Sequence, residues 1–108
     1  MESLDRIERY YLVKTVTKAT EYNEFSKGAV HTHVFGKNCE MLFAETGDPW
    51  IDRDYMTPYY IRNYGYKREC DARRSFAYKN PERSIYWTER PEIIAVDIKT
   101  VDGVSFIA

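Results

Sequence analysis

A chain of 108 residues without internal duplication has the length of one domain, and folding at this size hides roughly two thirds of the unfolded surface, so no metal or disulfide staple is required. Hydrophobic residues at 44% and charged residues at 31% exclude a disordered chain, and a net charge of −1 lacks the clearly positive balance that most nucleic-acid domains carry. No apolar run approaches a membrane span and the first residues form no secretory leader, so residues 1–108 are expected to form a single cytoplasmic domain.

The first element expected is a strand over Glu8–Thr17, where Tyr10, Tyr11, Leu12, Val13, Thr15 and Val16 suit a pleated surface. A polar connection follows over Lys18–Lys27. Alternation resumes over Ala29–Phe35, turns at Gly36-Lys37-Asn38, and continues with Cys39, Met41 and Phe43 on one side, which predicts a β-hairpin. Thr46-Gly47-Asp48-Pro49 stops that strand, and Trp50–Met56 reads as a loop. Thr57-Pro58 marks a helix start, because Thr caps free amides and Pro fits the first turn; this short helix ends at Gly65. A second helix is expected from Tyr66 toward Tyr78, supported by Glu69 and Arg73 four residues apart and halted at Asn80-Pro81.

Strands return over Ser84–Thr88 and Glu92–Val101, and Asp102-Gly103 is a favoured two-residue turn into a last strand over Val104–Ile107. The fold class expected is therefore α+β. Its sheet is mainly antiparallel with about five strands, and the short helical middle packs on one face.

Charge and aromatic residues are unevenly spread. Residues 57–90 carry a net charge of +4, residues 1–56 a net of −3 and residues 91–108 a net of −2. The basic middle is interleaved with Tyr59, Tyr60, Tyr64, Tyr66 and Tyr78, a composition that suits tracking phosphates and stacking bases, with Arg62, Arg68, Arg73 and Arg74 as the cations. Ten tyrosines in all point equally to a protein-recognition surface, since Tyr gives large contact area at low entropic cost. Tyr60 and Tyr64 would share one side of the short helix, and Tyr59 and Arg62 another. Glu40, Glu45, Asp48, Asp52 and Asp54 make an acidic stretch, of the kind that docks on basic grooves of nucleic-acid enzymes.

Motifs for chemistry are sparse. His31-Thr32-His33 sets two imidazoles on one strand face at metal-ligand spacing, but no third ligand is fixed beside them, so no metal is expected. Val96-Asp97-Ile98-Lys99 resembles the D-x-K strand of restriction-type metal-dependent nucleases, a resemblance that covers one tripeptide and would make Asp97 a Mg²⁺ ligand. Alternation with Ile94, Val96 and Ile98 already accounts for Asp97 and Lys99 as a solvent face. Phosphate-binding glycine motifs and nucleophile elbows are missing from the sequence. Cys39 and Cys70 lack C-x-x-C spacing and read as reduced thiols in or near the core.

The reading that follows is a small non-enzymatic binding protein without a cofactor. It would be an inhibitor or regulator that docks on a larger nucleic-acid-handling protein or ribonucleoprotein, as stand-alone anti-defence domains of mobile genetic elements do. The expected contact residues are Tyr59, Tyr60, Arg62, Tyr64, Tyr66, Arg68, Arg73 and Arg74, or the acids Asp48, Asp52 and Asp54. Direct nucleic-acid binding by residues 57–90 is the alternative, and a metal-dependent nuclease comes third.

Overall fold

The computed structural model describes residues 5–18, 30–79 and 91–108. The rest of the connection expected after Lys18 and the strand expected over Ser84–Thr88 lie outside the described residues. Among the described residues six strands form one antiparallel sheet: β1 (Arg6–Lys18), β2 (Val30–Phe35), β3 (Met41–Glu45), β4 (Arg53–Asp54), β5 (Glu92–Val101) and β6 (Val104–Ile107), in the order β4-β3-β2-β1-β5-β6. Three short helices follow β4: α1 (Pro58–Tyr64), α2 (Glu69–Arg73) and α3 (Phe76–Lys79). The α+β class and the antiparallel sheet are as expected, with a sixth strand where β4 pairs with β3 inside the segment read as a loop.

The long strand β1 organises the sheet. Its first half pairs with β5 from Arg6↔Thr100 to Lys14↔Glu92, and its second half also pairs with β2 from Val13↔Phe35 onward. Alternation along β1 sends Tyr10 and Leu12 to one face, called here the first, and Tyr11 and Val13 to the second. The first-face core joins Tyr10, Leu12, Val34, Leu42, Ile61, Val96 and Ile98. A register shift beside Val34 and Phe35 pairs them with Phe43 and Met41, so the intervening Leu42 enters this core beside Phe43.

The helical middle packs on the sheet, but it divides between the faces. Ile61 brings α1 onto the first face, whereas Ala72 and Ala77 bring α2 and α3 onto Val13 of the second. The chain passes between them at Tyr66, whose backbone exchanges hydrogen bonds with that of Tyr11 (2.7 and 2.9 Å) on the stretch of β1 that β2 is too short to cover. Two glycines make the passage possible. A Cβ on Gly65 would lie 2.8 Å from that of Tyr10, and one on Gly36 would lie 2.5 Å from the Tyr64 carbonyl oxygen.

Local signals place the helix ends. Thr57 Oγ1 accepts from the Tyr60 amide, Pro58 occupies the first turn, and the chain leaves the helix at Gly65 as expected. Met56 and Ile61, just before the cap and in the first turn, pack in the same core as a hydrophobic staple. The helix expected from Tyr66 to Tyr78 is instead α2 and α3. Ser75 breaks it, because its Oγ accepts from the Tyr78 amide and caps a new turn. At the turn between β2 and β3, Asn38 and Cys39 adopt φ of 59° and 56°, and a single 3-10 turn replaces the tight reversal. That conformation turns Cys39 outward, and Cys70 lies on the outer side of α2; both thiols are exposed, not in the core. Asp102 and Gly103, at φ of 51° and 81°, form the expected turn between β5 and β6.

Candidate docking surface

A ladder of aromatic rings stands at the β4 edge of the sheet. Tyr60 stacks on Tyr64 with centroids 6.4 Å apart and on Tyr55 at 5.1 Å, while Tyr59 meets Tyr60 edge-to-face at 5.2 Å. The Arg53 guanidinium lies 5.9 Å from the Tyr55 centroid and extends the stack with a cation. Its base is rigid, since Tyr60, Tyr64, Phe43 and Met56 all pack against the first-face core. Its rim is open: Tyr59 is 69% exposed and Tyr55 43%.

The loop leading into β4 is fixed by its own aspartates. Asp52 accepts from the Thr46 amide (2.7 Å), the Thr46 hydroxyl (2.6 Å) and the Gly47 amide (3.1 Å). The Thr46 hydroxyl is the main reason that the Asp52 carboxyl is held below its usual pKa. Asp48 caps the Trp50 amide and Asp54 the Met56 amide. Asp48, Asp52 and Asp54 therefore have structural work in a rigid loop that holds Trp50 at 92% exposure.

The cations expected beside the tyrosines are separated from them. Arg62 points inward along the first face, where Nη2 donates to Glu8 Oε2 at 2.6 Å and to Ser105 Oγ at 2.9 Å, and Nε donates to Glu8 at 3.1 Å. It does not join Tyr59 at the surface. Arg68 pairs with Asp71 at 3.0 Å, Arg73 with Glu69 at 3.1 Å, and Arg74 reaches Asp71 at 4.0 Å, all on the second-face side. Tyr66 lies at the crossing between the faces. The described residues 57–79 thus do not present one basic aromatic surface: Tyr59, Tyr60 and Tyr64 go with α1, and Arg68, Arg73 and Arg74 with α2.

The sequence reading did not single out Arg53, Trp50 or Tyr55 as contact residues. Tyr55 precedes the helix cap, so helical spacing cannot link it to Tyr60; its place just before a staple residue was the available signal.

His31 and His33 come together on the second face with ring centroids 6.4 Å apart, and His33 stacks on Phe35 at 6.0 Å. Among the described residues no group of three His, Cys, Asp or Glu side chains converges there or elsewhere. Asp97, the acid of the D-x-K stretch, is taken by Arg9, whose Nε and Nη2 donate to its two oxygens at 2.7 and 3.0 Å.

Burial first, and the neighbouring His31 second, hold the His33 pKa below 6.5, with Asp52 opposing them. A histidine with a depressed folded pKa contributes its full stability above the unfolded value and loses it as pH falls toward the folded one. The urea midpoint of the wild type is therefore expected to fall as the pH drops below 6.5, and His33→Gln to flatten that part of the profile. Identical profiles for the two proteins would contradict this.

Comparison with known proteins returns nothing similar: no family model, no curated protein and no solved structure matches the chain.

Proposed function

We propose that the chain is a non-enzymatic binding module that docks on a protein partner through the aromatic ladder at the β4 edge. The observation that carries the reading is the construction of that ladder. Its lower rings are anchored in the core, and Tyr59 and Tyr55 are presented outward beside Arg53, the residue types that most often hold the binding energy of an interface. Rings fixed before binding lose little entropy on association.

The partner's chemistry follows from the loop beside the ladder. Glu45, Asp52 and Asp54 are exposed on the stretch entering β4, with Trp50 among them, so the complementary surface is basic with an apolar pocket. Basic grooves are characteristic of nucleic-acid-handling proteins, and the module would act there as an inhibitor or regulator, the role of anti-defence domains of mobile elements. Two unpaired, exposed thiols suit the reducing cytoplasm. Among the described residues no helix is long and apolar enough to cross a membrane. Direct nucleic-acid binding draws less support, because Arg62, Arg68, Arg73 and Arg74 all lie within 4.0 Å of a carboxylate of the same chain.

The test is a partner captured from host lysate with nuclease present, then measured with purified components. Tyr59→Ala is expected to weaken the complex by about 2 kcal/mol or more, about thirtyfold in Kd, with the melting midpoint unchanged. The pair Asp48→Asn and Asp54→Asn keeps an oxygen for each cap while removing charge, and is expected to slow association and reduce its dependence on salt. Unaltered affinity and on-rate in these variants would refute the docking surface.

A further inference from the structure

The opposite edge of the sheet is built differently from β4. Among the described residues nothing pairs with the outer side of β6, and the strand carries no charged side chain and exposes Val104 (65%) and Phe106 (43%) on the second face. Edge strands are commonly protected by charge, proline or brevity, and among these β6 has only its short length. Its hydrogen-bonding phase is fixed by the register. The Ala108 amide donates to the Asp97 carbonyl, and the β5 partners Lys99↔Phe106 and Val101↔Val104 follow at intervals of two. In an antiparallel ladder, bonded pairs alternate with non-bonded pairs, so the backbone groups of Val104 and Phe106 turn inward to β5, and those of Ser105 and Ile107 turn outward.

From this register we infer that β6 pairs with β6 of a second copy, antiparallel about a two-fold axis at Phe106, joining two six-stranded sheets into one. The arrangement is self-complementary. Ser105 and Ile107 of one copy meet Ile107 and Ser105 of the other, which satisfies the outward amides and carbonyls of both strands. Phe106 then faces Phe106 as a non-bonded pair, the closer kind, on the second face. Cross-strand neighbours extend this contact into a row, since Ile7 pairs with Lys99 and Lys99 with Phe106. Each Lys99 stem lies beside a Phe106 ring, with exposed Ile7 beyond it.

Charge favours the same occupant. A strand without charged side chains meets its own copy without direct repulsion; the nearest second-face cation, Lys99, lies on β5, so the two copies of it are kept apart by the paired β6 strands, and Arg9 and Asp97 neutralise each other within one chain at 2.7 Å. The contact is small, so the dissociation constant belongs in the weak range of about 10 µM to 1 mM. The pairing edge of β6 is distinct from the β4 end of the ladder, where Arg53 and Tyr55 stand, although α1 reaches the first face of β6 through Arg62 and Ser105.

Sedimentation of the full chain over that concentration range tests the inference. The wild type should progress from monomer to dimer mass. Ile107→Pro removes only an outward amide and Phe106→Glu opposes two carboxylates at the axis, so each should raise the dissociation constant by about tenfold or more. Should either variant fold poorly, Phe106→Cys in a Cys39→Ser, Cys70→Ser background gives an independent reading. Non-bonded antiparallel partners fit disulfide geometry, so Phe106→Cys should oxidise to a covalent dimer about tenfold faster than Val104→Cys, whose partner across the axis is Ala108. A monomer throughout the range overturns the inference. So do equal rates of cross-linking at the two positions, or a dimer weakened by Tyr59→Ala and not by Phe106→Glu.

Discussion

Ile61→Ala is expected to destabilise the protein by about 2–5 kcal/mol, with a fall of about 10–30 °C in the melting midpoint. Ile61 is fully buried and is the helical member of the first-face core that joins Tyr10, Leu12, Val34, Leu42, Val96 and Ile98. Its truncation leaves a cavity beneath α1 that neighbours cannot fill, because Gly36 and Gly65 already hold the end of the helix against the sheet at the closest approach of the backbone. Since domains of this size have a net stability of about 5–15 kcal/mol, such a loss is a large fraction of the whole. The same helix carries Tyr59, Tyr60 and Tyr64, so this variant should also lose partner affinity, unlike Tyr59→Ala, which leaves the core intact. A midpoint within a few degrees of wild type would show that α1 is a dispensable covering and not part of the core.

Legibility of the fold followed the range of the interactions. The cap at Thr57, the end at Gly65 and the turn at Asp102-Gly103 depend on residues within a few positions of each other, and each was readable from residue type. The pairing of β1 with β5 joins residues some ninety positions apart, such as Arg6 and Thr100, and no local pattern encodes it. The division of the helices between faces rests on the room left by Gly36 and Gly65 at one crossing, which spacing alone does not reveal. Ser75 misled the helix reading in a recognisable way, since a serine in the middle of a helical pattern is also a cap.

The site divided along the same line. Tyr60 and Tyr64 share a side of α1 by helical spacing, and the structure stacks them. Tyr55 joins them from outside the helix, and Arg62 leaves the expected surface for a carboxylate 54 positions earlier in the chain. Charge counted along the sequence measures how many arginines a segment has. It does not measure how many are already paired, and here the pairing decides between a basic surface and an ordinary one.

Arg62→Ala is expected to lower the melting midpoint by several degrees at neutral pH while leaving Tyr59 and the ladder in place. The guanidinium ties α1 to three strands at once, donating to Glu8 on β1, Thr100 on β5 and Ser105 on β6 at 2.6, 3.3 and 2.9 Å. Its removal leaves Glu8 with the Tyr10 hydroxyl, at 3.0 Å, and Arg6, at 3.7 Å, as its remaining partners, in a site where that carboxylate is only partly exposed. Arg62→Lys should restore only part of the loss, because an ammonium cannot make the forked contact to Glu8 and also reach both hydroxyls. The pH dependence gives the sharper check. The Arg62 hydrogen bond is the largest influence on Glu8 and holds its pKa below 4.5, so the stabilisation is complete above that value and is lost as pH falls through the folded pKa. The gap between wild type and Arg62→Ala should therefore be widest at neutral pH and narrow below pH 4.5. A gap that stays constant across that range would mean that the Arg62 stem, and not its charge, holds α1 to the sheet. An unchanged midpoint at neutral pH, with partner or nucleic-acid binding lost, would return Arg62 to a contact surface and overturn its assignment to the ion pair with Glu8.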